Sequence, residues 1–162
     1  SSSLTEIRWH GRGGQGAVTA AKMVAEIAAE HGKCFQAFPE YGPERSGAPI
    51  VAFTRLSDDP IQCYSAIEHP GIVLVLDETL LGVVDVTDGA PPEAAVIINT
   101  EKSPADMKKV FDFGGRSVYT VPATSIAKQT LGRAIPNTPM VSALSRVTGQ
   151  FSLDEIEDHL RH

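Results

Sequence analysis

The chain has 162 residues and a formal net charge of −6 at neutral pH. This length suits one domain with a hydrophobic core and is too short for two ordinary domains, so we expect a single domain over residues 1–162. The acidic balance, with no cluster of Lys and Arg, argues against nucleic-acid binding. Apolar runs such as residues 72–76 are far too short to span a membrane, and the first residues lack the pattern of a signal peptide. We therefore expect a cytoplasmic protein that binds neither nucleic acid nor membranes.

The cysteines and histidines predict no metal site. Cys34 and Cys63 stand far apart with no C-x-x-C pairing, which excludes a zinc or iron–sulfur site built from this chain's thiolates alone. No two histidines have the i, i+4 spacing of a helical metal site. We interpret both cysteines as small, buried apolar residues.

Residues 6–10 form the first predicted strand. Ile7 and Trp9 alternate with Glu6, Arg8 and His10, which is the period of a strand with one apolar face. Central strands of doubly wound sheets are usually apolar on both faces. The polar face therefore predicts either a polar cover or contact with a partner.

A glycine-rich stretch joins this strand to a helix predicted over residues 17–31, whose apolar side is rich in alanine. Glycines permit positive φ angles and a close approach of the backbone to a ligand, and the helix start offers free N–H groups to an anion. The stretch also fits the dinucleotide pattern G-x-G-x-x-G. The alternative is a tight strand-to-helix turn in which the glycines only permit close packing. The candidate phosphate-binding residues are Gly11, Arg12, Gly13, Gly14, Gln15 and Gly16.

A long loop follows the second predicted strand, residues 33–38. Residues 39–49 are rich in turn residues but also carry charge and an aromatic ring, and long ordered loops often carry function. Within this loop, Arg45, Ser46 and Gly47 are candidates for contact with an anionic ligand, and the alternative is a solvated surface loop. No helix separates the second strand from the third, residues 49–56, so the two are predicted to pair antiparallel. We expect Phe38, like Trp9, to lie in the core.

The later elements alternate strands with helices. Ser103 and Thr138 each precede a proline, which is typical of a helix cap followed by the first helical position. Strands are predicted over residues 72–77, 94–99 and 117–121, and helices over residues 79–84, 105–111, 124–131, 138–147 and 152–162. This alternation predicts an α/β fold: one doubly wound, mostly parallel sheet with helices on both faces.

The residues predict binding more strongly than catalysis. No Ser or Cys lies in a nucleophile elbow, and the acid pairs at residues 58–59 and 77–78 are neighbours whose side chains usually point apart, so no catalytic residue is predicted. NAD binding would favour an acid at the end of the second strand, but Gln36 and Ala37 stand there and Glu40 comes late. An NAD-dependent oxidoreductase and a free-standing nucleotide-binding or regulatory module remain as alternatives.

Two long motifs resemble a known family. Residues 7–18 (IRWHGRGGQGAV) and 38–49 (FPEYGPERSGAP) are similar to the gamma subunit of 2-oxoacid:ferredoxin oxidoreductases. The pyruvate (pyruvate synthase) type is the nearest, and the 2-oxoisovalerate type is next. Residues 76–81, 99–102 and 137–140 also resemble that subunit, so the similarity covers nearly the whole chain.

The resemblance implies one part of a larger enzyme that oxidatively decarboxylates a 2-oxoacid with coenzyme A and reduces ferredoxin. It places thiamine diphosphate and the iron–sulfur clusters on partner subunits, which are named alpha, beta and delta. The gamma subunit would organise the complex and help to receive coenzyme A near residues 13–16 and 45–47. Family members usually continue beyond residue 162, so we expect a missing C-terminal tail. The resemblance leaves open which 2-oxoacid is the substrate.

Overall fold

The computed structural model describes residues 4–13, 16–30, 32, 34–40, 48–61, 67–126, 140 and 143–144. Within them, six strands form a single sheet. The strands are β1 (Thr5–Arg12), β2 (Cys34–Pro39), β3 (Pro49–Ser57), β4 (Ile72–Val75), β5 (Ala95–Asn99) and β6 (Ser117–Val121). The helices are α1 (Ala17–Glu30), a 3₁₀ helix η1 (Glu78–Gly82) and α2 (Pro104–Val110).

The strand order across the sheet is β2-β3-β1-β4-β5-β6. β1, β4, β5 and β6 run parallel to one another, whereas β3 runs antiparallel to both β1 and β2. The mostly parallel sheet and the antiparallel pairing of β2 with β3 are thus confirmed. Only residues 40–48 separate β2 from β3, which is fewer than the dozen or more that a parallel crossover needs.

One face of the sheet packs against α1. The small side chains of Ala17, Ala20 and Ala28 are buried there, which lets the helix lie close to β1 and β3. Trp9 is fully buried on this face, as predicted. Its indole N–H donates to Thr54 Oγ1 at 3.0 Å, and the Thr54 hydroxyl donates to a carbonyl of α1 at 3.0 Å. A polar chain therefore ties the helix to the sheet inside the core.

The opposite face of the β4–β6 half has its own core. Valines and isoleucines of these strands pack against Met107 of α2, Val86 and Phe113. The predicted cap of α2 is confirmed, because Ser103 Oγ accepts the backbone N–H of Asp106 at 3.2 Å. Helices therefore cover both faces of the sheet, as predicted.

Some predicted elements lie partly or wholly outside the described residues, and some predictions on burial need correction. Residues 123–126 are helical, and so are residues 140 and 143–144, whose Met140 and Leu144 are buried. The structure does not describe the rest of the helices predicted over residues 124–131 and 138–147. The helix predicted over residues 152–162 and Cys63 also lie outside the described residues. The interpretation of Cys34 as buried is wrong, and Phe38 too is only half-buried, because both lie on the edge strand β2. No helix among the described residues is long and apolar enough to cross a membrane.

Candidate functional site

The glycine-rich stretch begins as a strand and not as a turn. Gly11 pairs with Ile50 and Arg12 with Pro49, so β1 extends further than predicted. Gly11 and Gly13 do not adopt positive φ; Gly16 does, with φ 82°, immediately before α1. The prediction that the first strand ends at residue 10 is therefore wrong, because pairing with β3 extends the strand. Gly14 and Gln15 lie outside the described residues.

The glycine-rich stretch and both ends of the loop predicted over residues 39–49 lie close together at one edge of the sheet. The N–H of Gly13 donates to the carbonyl of Ala48 at 2.8 Å, and the N–H of Glu40 donates to the carbonyl of Val51 at 2.8 Å. The segment with Arg45, Ser46 and Gly47 lies outside the described residues. The residues that flank it on both sides lie at the edge of the sheet where β1 leads into the glycines.

An open pocket lies beside this junction, and we call it the α1 pocket. It has a volume of ≈ 400 Å³ and is lined by Gly13, Gly16, the first turn of α1 (residues 17–19), Pro39 and Ile50. The first turn of α1 carries no acidic side chain. The N–H groups of a first helical turn have no partner within the helix, and together with the positive end of the helix dipole they favour an anion in this pocket.

The side chain of Arg12 extends to the end of the neighbouring strand. Its Nε and Nη2 atoms donate to Thr79 Oγ1 at 3.2 and 3.0 Å, and Nε lies 3.4 Å from Asp77 Oδ2. The side chains of Arg12 and Asp77 are 25% and 19% exposed. Arg12 was predicted to supply donors to a ligand, and in this structure its guanidinium lies against these two residues at the edge of the sheet.

The contact of Arg12 with Asp77 and Thr79 joins β1 to the end of β4, and the winding of the sheet reverses between these two strands. The helix after β1 packs on one face, whereas the residues after β4 pack on the other. Open α/β sheets bind ligands in the crevice that such a reversal leaves at the carboxyl ends of the strands. Arg12, Gly13 and Asp77 therefore lie at the position where this fold class binds ligands.

The next crevice, between the ends of β4 and β5, is acidic. Its pocket of ≈ 270 Å³ is lined in part by Asp77, Glu78 and Glu101. Thr100 donates to Glu78 Oε2 at 2.9 Å, and Asn99 Oδ1 accepts the backbone N–H groups of residues 123 and 124. The carboxylates disfavour a phosphate here, which leaves the glycine side of the edge as the better anion site.

The polar face of β1 is covered by the chain itself. Arg8 and His10 are 8% and 6% exposed. Arg8 Nε donates to His10 Nε2 at 2.9 Å, and Arg8 Nη2 donates to the carbonyl of Val86 at 2.7 Å. Glu6 pairs with Arg55 at 2.9 Å. Of the two predicted alternatives for this face, a polar cover or a partner, the structure shows a polar cover from the chain itself.

Burial makes His10 a neutral side chain. Desolvation, followed by the nearby Arg8 cation, lowers the pKa of His10 from 6.5 to about 4, whereas Asp85 opposes the change. Desolvation likewise lowers the pKa of Arg8. Because His10 Nε2 accepts from Arg8, the imidazole proton resides on Nδ1. His10 is thus a structural acceptor inside the fold.

Comparison with known proteins identifies the family. The sequence model of the family described as "Pyruvate ferredoxin/flavodoxin oxidoreductase" matches residues 6–162. The chain belongs to this family. The pyruvate synthase subunit PorC of Thermotoga maritima is 49% identical over 155 residues, which are 96% of this chain and 80% of that protein. The pyruvate/ketoisovalerate oxidoreductases common subunit gamma of Pyrococcus furiosus is 45% identical over 158 residues, which are 98% and 85%.

Solved structures agree with this assignment. The crystal structure of the Thermotoga maritima PorC superposes with a TM-score of 0.85 at 45% identity and covers 98% of this chain and 84% of that chain. The 2-oxoglutarate:ferredoxin oxidoreductase of Magnetococcus marinus superposes with a TM-score of 0.72 at 18% identity, covering 99% and 27%, and shows a common fold only. The resemblance to the gamma subunit is confirmed, so the chain is a gamma-type subunit of a pyruvate or 2-oxoacid ferredoxin oxidoreductase.

The sheet order of this gamma-type subunit weakens the NAD alternative further. In a dinucleotide-binding fold the second strand lies beside the first and its terminal acid contacts the ribose. Here β3 lies between β1 and β2, and Gln36 of β2 accepts from Arg55 at 3.1 Å. The glycine pattern therefore lacks the parallel second strand that supplies the ribose-binding acid in a dinucleotide-binding fold.

Sequence reasoning missed the partner of Arg12. Thr79 was predicted only as the start of a short helix, and nothing in its local sequence indicates a contact with a residue 67 positions earlier. The available signal was Asp77, the acidic last residue of the strand predicted over residues 72–77. His10 of β1 lies opposite Val75 of β4. Two residues further along each chain segment, Arg12 and Asp77 are therefore at the same level of the sheet.

Proposed function

We propose that this gamma-type subunit organises the enzyme complex and receives coenzyme A at the α1 pocket. The complex would convert a 2-oxoacid, most simply pyruvate, and coenzyme A into acyl-CoA and carbon dioxide, and the released electrons would pass to ferredoxin. The alpha, beta and delta subunits are the expected partners. The observation that carries the proposal is the hydrogen bond from Gly13 to Ala48, which joins the two predicted loops beside the start of α1.

Electrostatics supports an anion at this place. The chain carries a net charge of −6, so its overall field does not attract coenzyme A. Local positive potential is available at the first turn of α1, and Arg45 is predicted to add to it. Arg12, whose charge Asp77 balances, would supply hydrogen-bond donors. These groups would hold phosphates of coenzyme A and orient the molecule, while its thiol end extends toward partner subunits.

The cofactors of the reaction are assigned to the partners. Among the described residues, no three His, Cys, Asp or Glu side chains converge so that they could hold a metal ion. The donors described in this chain therefore do not fit an iron–sulfur cluster or the cation that accompanies thiamine diphosphate. We derive no step of the reaction through either group in this subunit.

We also propose that this subunit does not select the 2-oxoacid. The Pyrococcus furiosus relative is named as a subunit common to pyruvate and ketoisovalerate oxidoreductases, so one gamma subunit there serves two substrates. If the same holds here, substrate contacts lie on the partner subunits.

The test uses two glycines that flank the same helix. Gly16 before α1 and Gly32 after it have similar positive φ angles, 82° and 76°, so alanine is strained by about 1–2 kcal/mol at either position. In the assembled enzyme, Gly16→Ala should raise the KM for coenzyme A by about tenfold or more, because it displaces the pocket that binds the phosphates. Gly32→Ala is the matched control, since a methyl group there meets no atom within 4 Å.

The two variants separate binding from stability. We expect similar losses of thermal stability but an unchanged KM for coenzyme A in Gly32→Ala. Equal KM values for the two variants and the wild type would show that the α1 pocket takes no part in receiving coenzyme A. A parallel titration with NAD should give no binding that depends on Gly16.

A further inference from the structure

The hydroxyl of Thr79 joins Arg12 to Asp77. It accepts from two nitrogens of Arg12, Nε at 3.2 Å and Nη2 at 3.0 Å. It also donates to Asp77 Oδ1 at 2.6 Å, and the same carboxylate oxygen accepts the backbone N–H of Thr79 at 3.0 Å. Since η1 begins at this point, with Asp77 as its N-cap, the hydroxyl is held in place by the helix start.

Stabilisation of the fold is a weak explanation for this arrangement. Thr79 is exposed, and the charged groups beside it are partly exposed, so an ion pair here contributes little to stability. β1 and β4 are already joined by their parallel ladder, which the N–H of Leu76 extends by donating to the carbonyl of His10 at 2.8 Å. The Thr79 contacts therefore add little to the pairing of the strands, but they fix the direction of a long side chain.

The Thr79 contacts hold the Arg12 side chain at the edge of the sheet beside the α1 pocket. Arg12 shares a face of β1 with Arg8 and His10, and this face is opposite to the one that carries α1. A phosphate at the edge of the sheet would meet the start of α1 from one side and the guanidinium from the other. An unrestrained arginine would lose rotamer freedom on contact with this ligand, whereas an arginine already held by Thr79 loses less.

We propose that Thr79 is a positioning residue, which holds the guanidinium of Arg12 at the edge of the sheet for contact with a phosphate of coenzyme A. The inference rests on the proposed function of this subunit. Thr79 acts through Arg12 and does not itself contact the ligand. Asp77 balances the charge of Arg12 and orients the hydroxyl.

The test is a double-mutant cycle in the assembled enzyme. Thr79→Val removes the hydroxyl without changing the charge or the approximate size of the side chain, and it leaves Asp77 in place. Thr79→Ser is the matched control, because it retains the hydroxyl. Loss of a hydrogen bond to a charged group predicts a rise of about fivefold to tenfold in the KM for coenzyme A in Thr79→Val, with kcat within about twofold of the wild type.

The Arg12→Ala background shows whether Thr79 acts through Arg12. We expect Arg12→Ala to raise the KM for coenzyme A and Thr79→Val to add nothing further in that background. An unchanged or lowered KM in Thr79→Val, an equal rise in Thr79→Ser, or an additive effect in the double variant would overturn the inference.

The proposed function is tested separately. If Gly16→Ala raises the KM for coenzyme A while Arg12→Ala leaves it unchanged, the α1 pocket still receives coenzyme A, but Arg12 and Thr79 are excluded from the site. If neither variant changes the KM, both proposals fail.

Discussion

Lowering the pH should destabilise this chain through His10. The folded protein holds His10 neutral, because the side chain is buried and accepts a hydrogen bond from Arg8. The unfolded chain protonates the same imidazole below about pH 6.5. The stability that depends on neutral His10 is therefore fully present above pH 6.5, and it is lost as the pH falls toward the pKa of the folded state.

The size of the loss follows from the two pKa values. Lowering the pKa of His10 from 6.5 to about 4 corresponds to about 3 kcal/mol in the free energy of unfolding. About 2 kcal/mol of this should be lost by pH 5, where the unfolded state binds the proton and the folded state does not. Native domains have a total stability of about 5–15 kcal/mol, so the effect is large enough to measure.

The assay compares the wild-type chain with His10→Gln, which retains an acceptor for Arg8 but does not titrate. Denaturant unfolding between pH 7.5 and 4.5 gives the free energy of unfolding of each protein. The carboxylates contribute to both curves, so their difference isolates His10. The wild type should lose about 2 kcal/mol more than the variant by pH 5. Parallel curves over this range would refute the reasoning.

Two further predictions concern stability away from the α1 pocket. Trp9→Phe removes the buried N–H that donates to Thr54 and leaves a gap in the core, so the free energy of unfolding should fall by about 1–3 kcal/mol; a variant as stable as the wild type would contradict this. Arg116→Met removes hydrogen bonds to the carbonyls of Ala90, Pro91 and Phe113, before the amino ends of β5 and β6. Thermal unfolding should show a loss of about 1–3 kcal/mol, and the KM for coenzyme A should not change, since this is the opposite edge of the sheet; a changed KM would count against that placement.

Local patterns predicted the elements better than their ends and their contacts. The alanine spacing predicted the buried side of α1, and the Ser103–Pro104 pair predicted the start of α2, because both signals depend on residues within one or two helical turns. The continuation of β1 through Gly11 and Arg12 depends on pairing with β3, some forty residues later, which no local pattern contains.

At the candidate site, too, local patterns predicted features of neighbouring residues but not contacts between distant ones. The glycine-rich stretch was found from its letters, because close approach of the backbone requires glycine. The cover of Arg8 and His10 comes from the Val86 segment, and the contact of Arg12 comes from Thr79; both depend on the order of strands across the sheet. Sequence reasoning could therefore name candidate residues for the site but could not say which of them are already paired within the chain.

The position of β3 explains how a dinucleotide-like glycine pattern can belong to a different kind of site. In the usual arrangement the strand beside β1 runs parallel to it and ends in an acid that contacts a ribose. Here that place is taken by an antiparallel strand, so Pro49, its first residue, lies at the edge where a strand would otherwise end. Glu40 and Ala48, which flank the segment that carries Arg45, Ser46 and Gly47, lie at this edge. No parallel second strand brings an acid to this edge for ribose hydroxyls, whereas the sequence predicts a basic residue and a hydroxyl in the flanked segment, which would suit phosphate. This exchange is the physical reason to test coenzyme A before NAD.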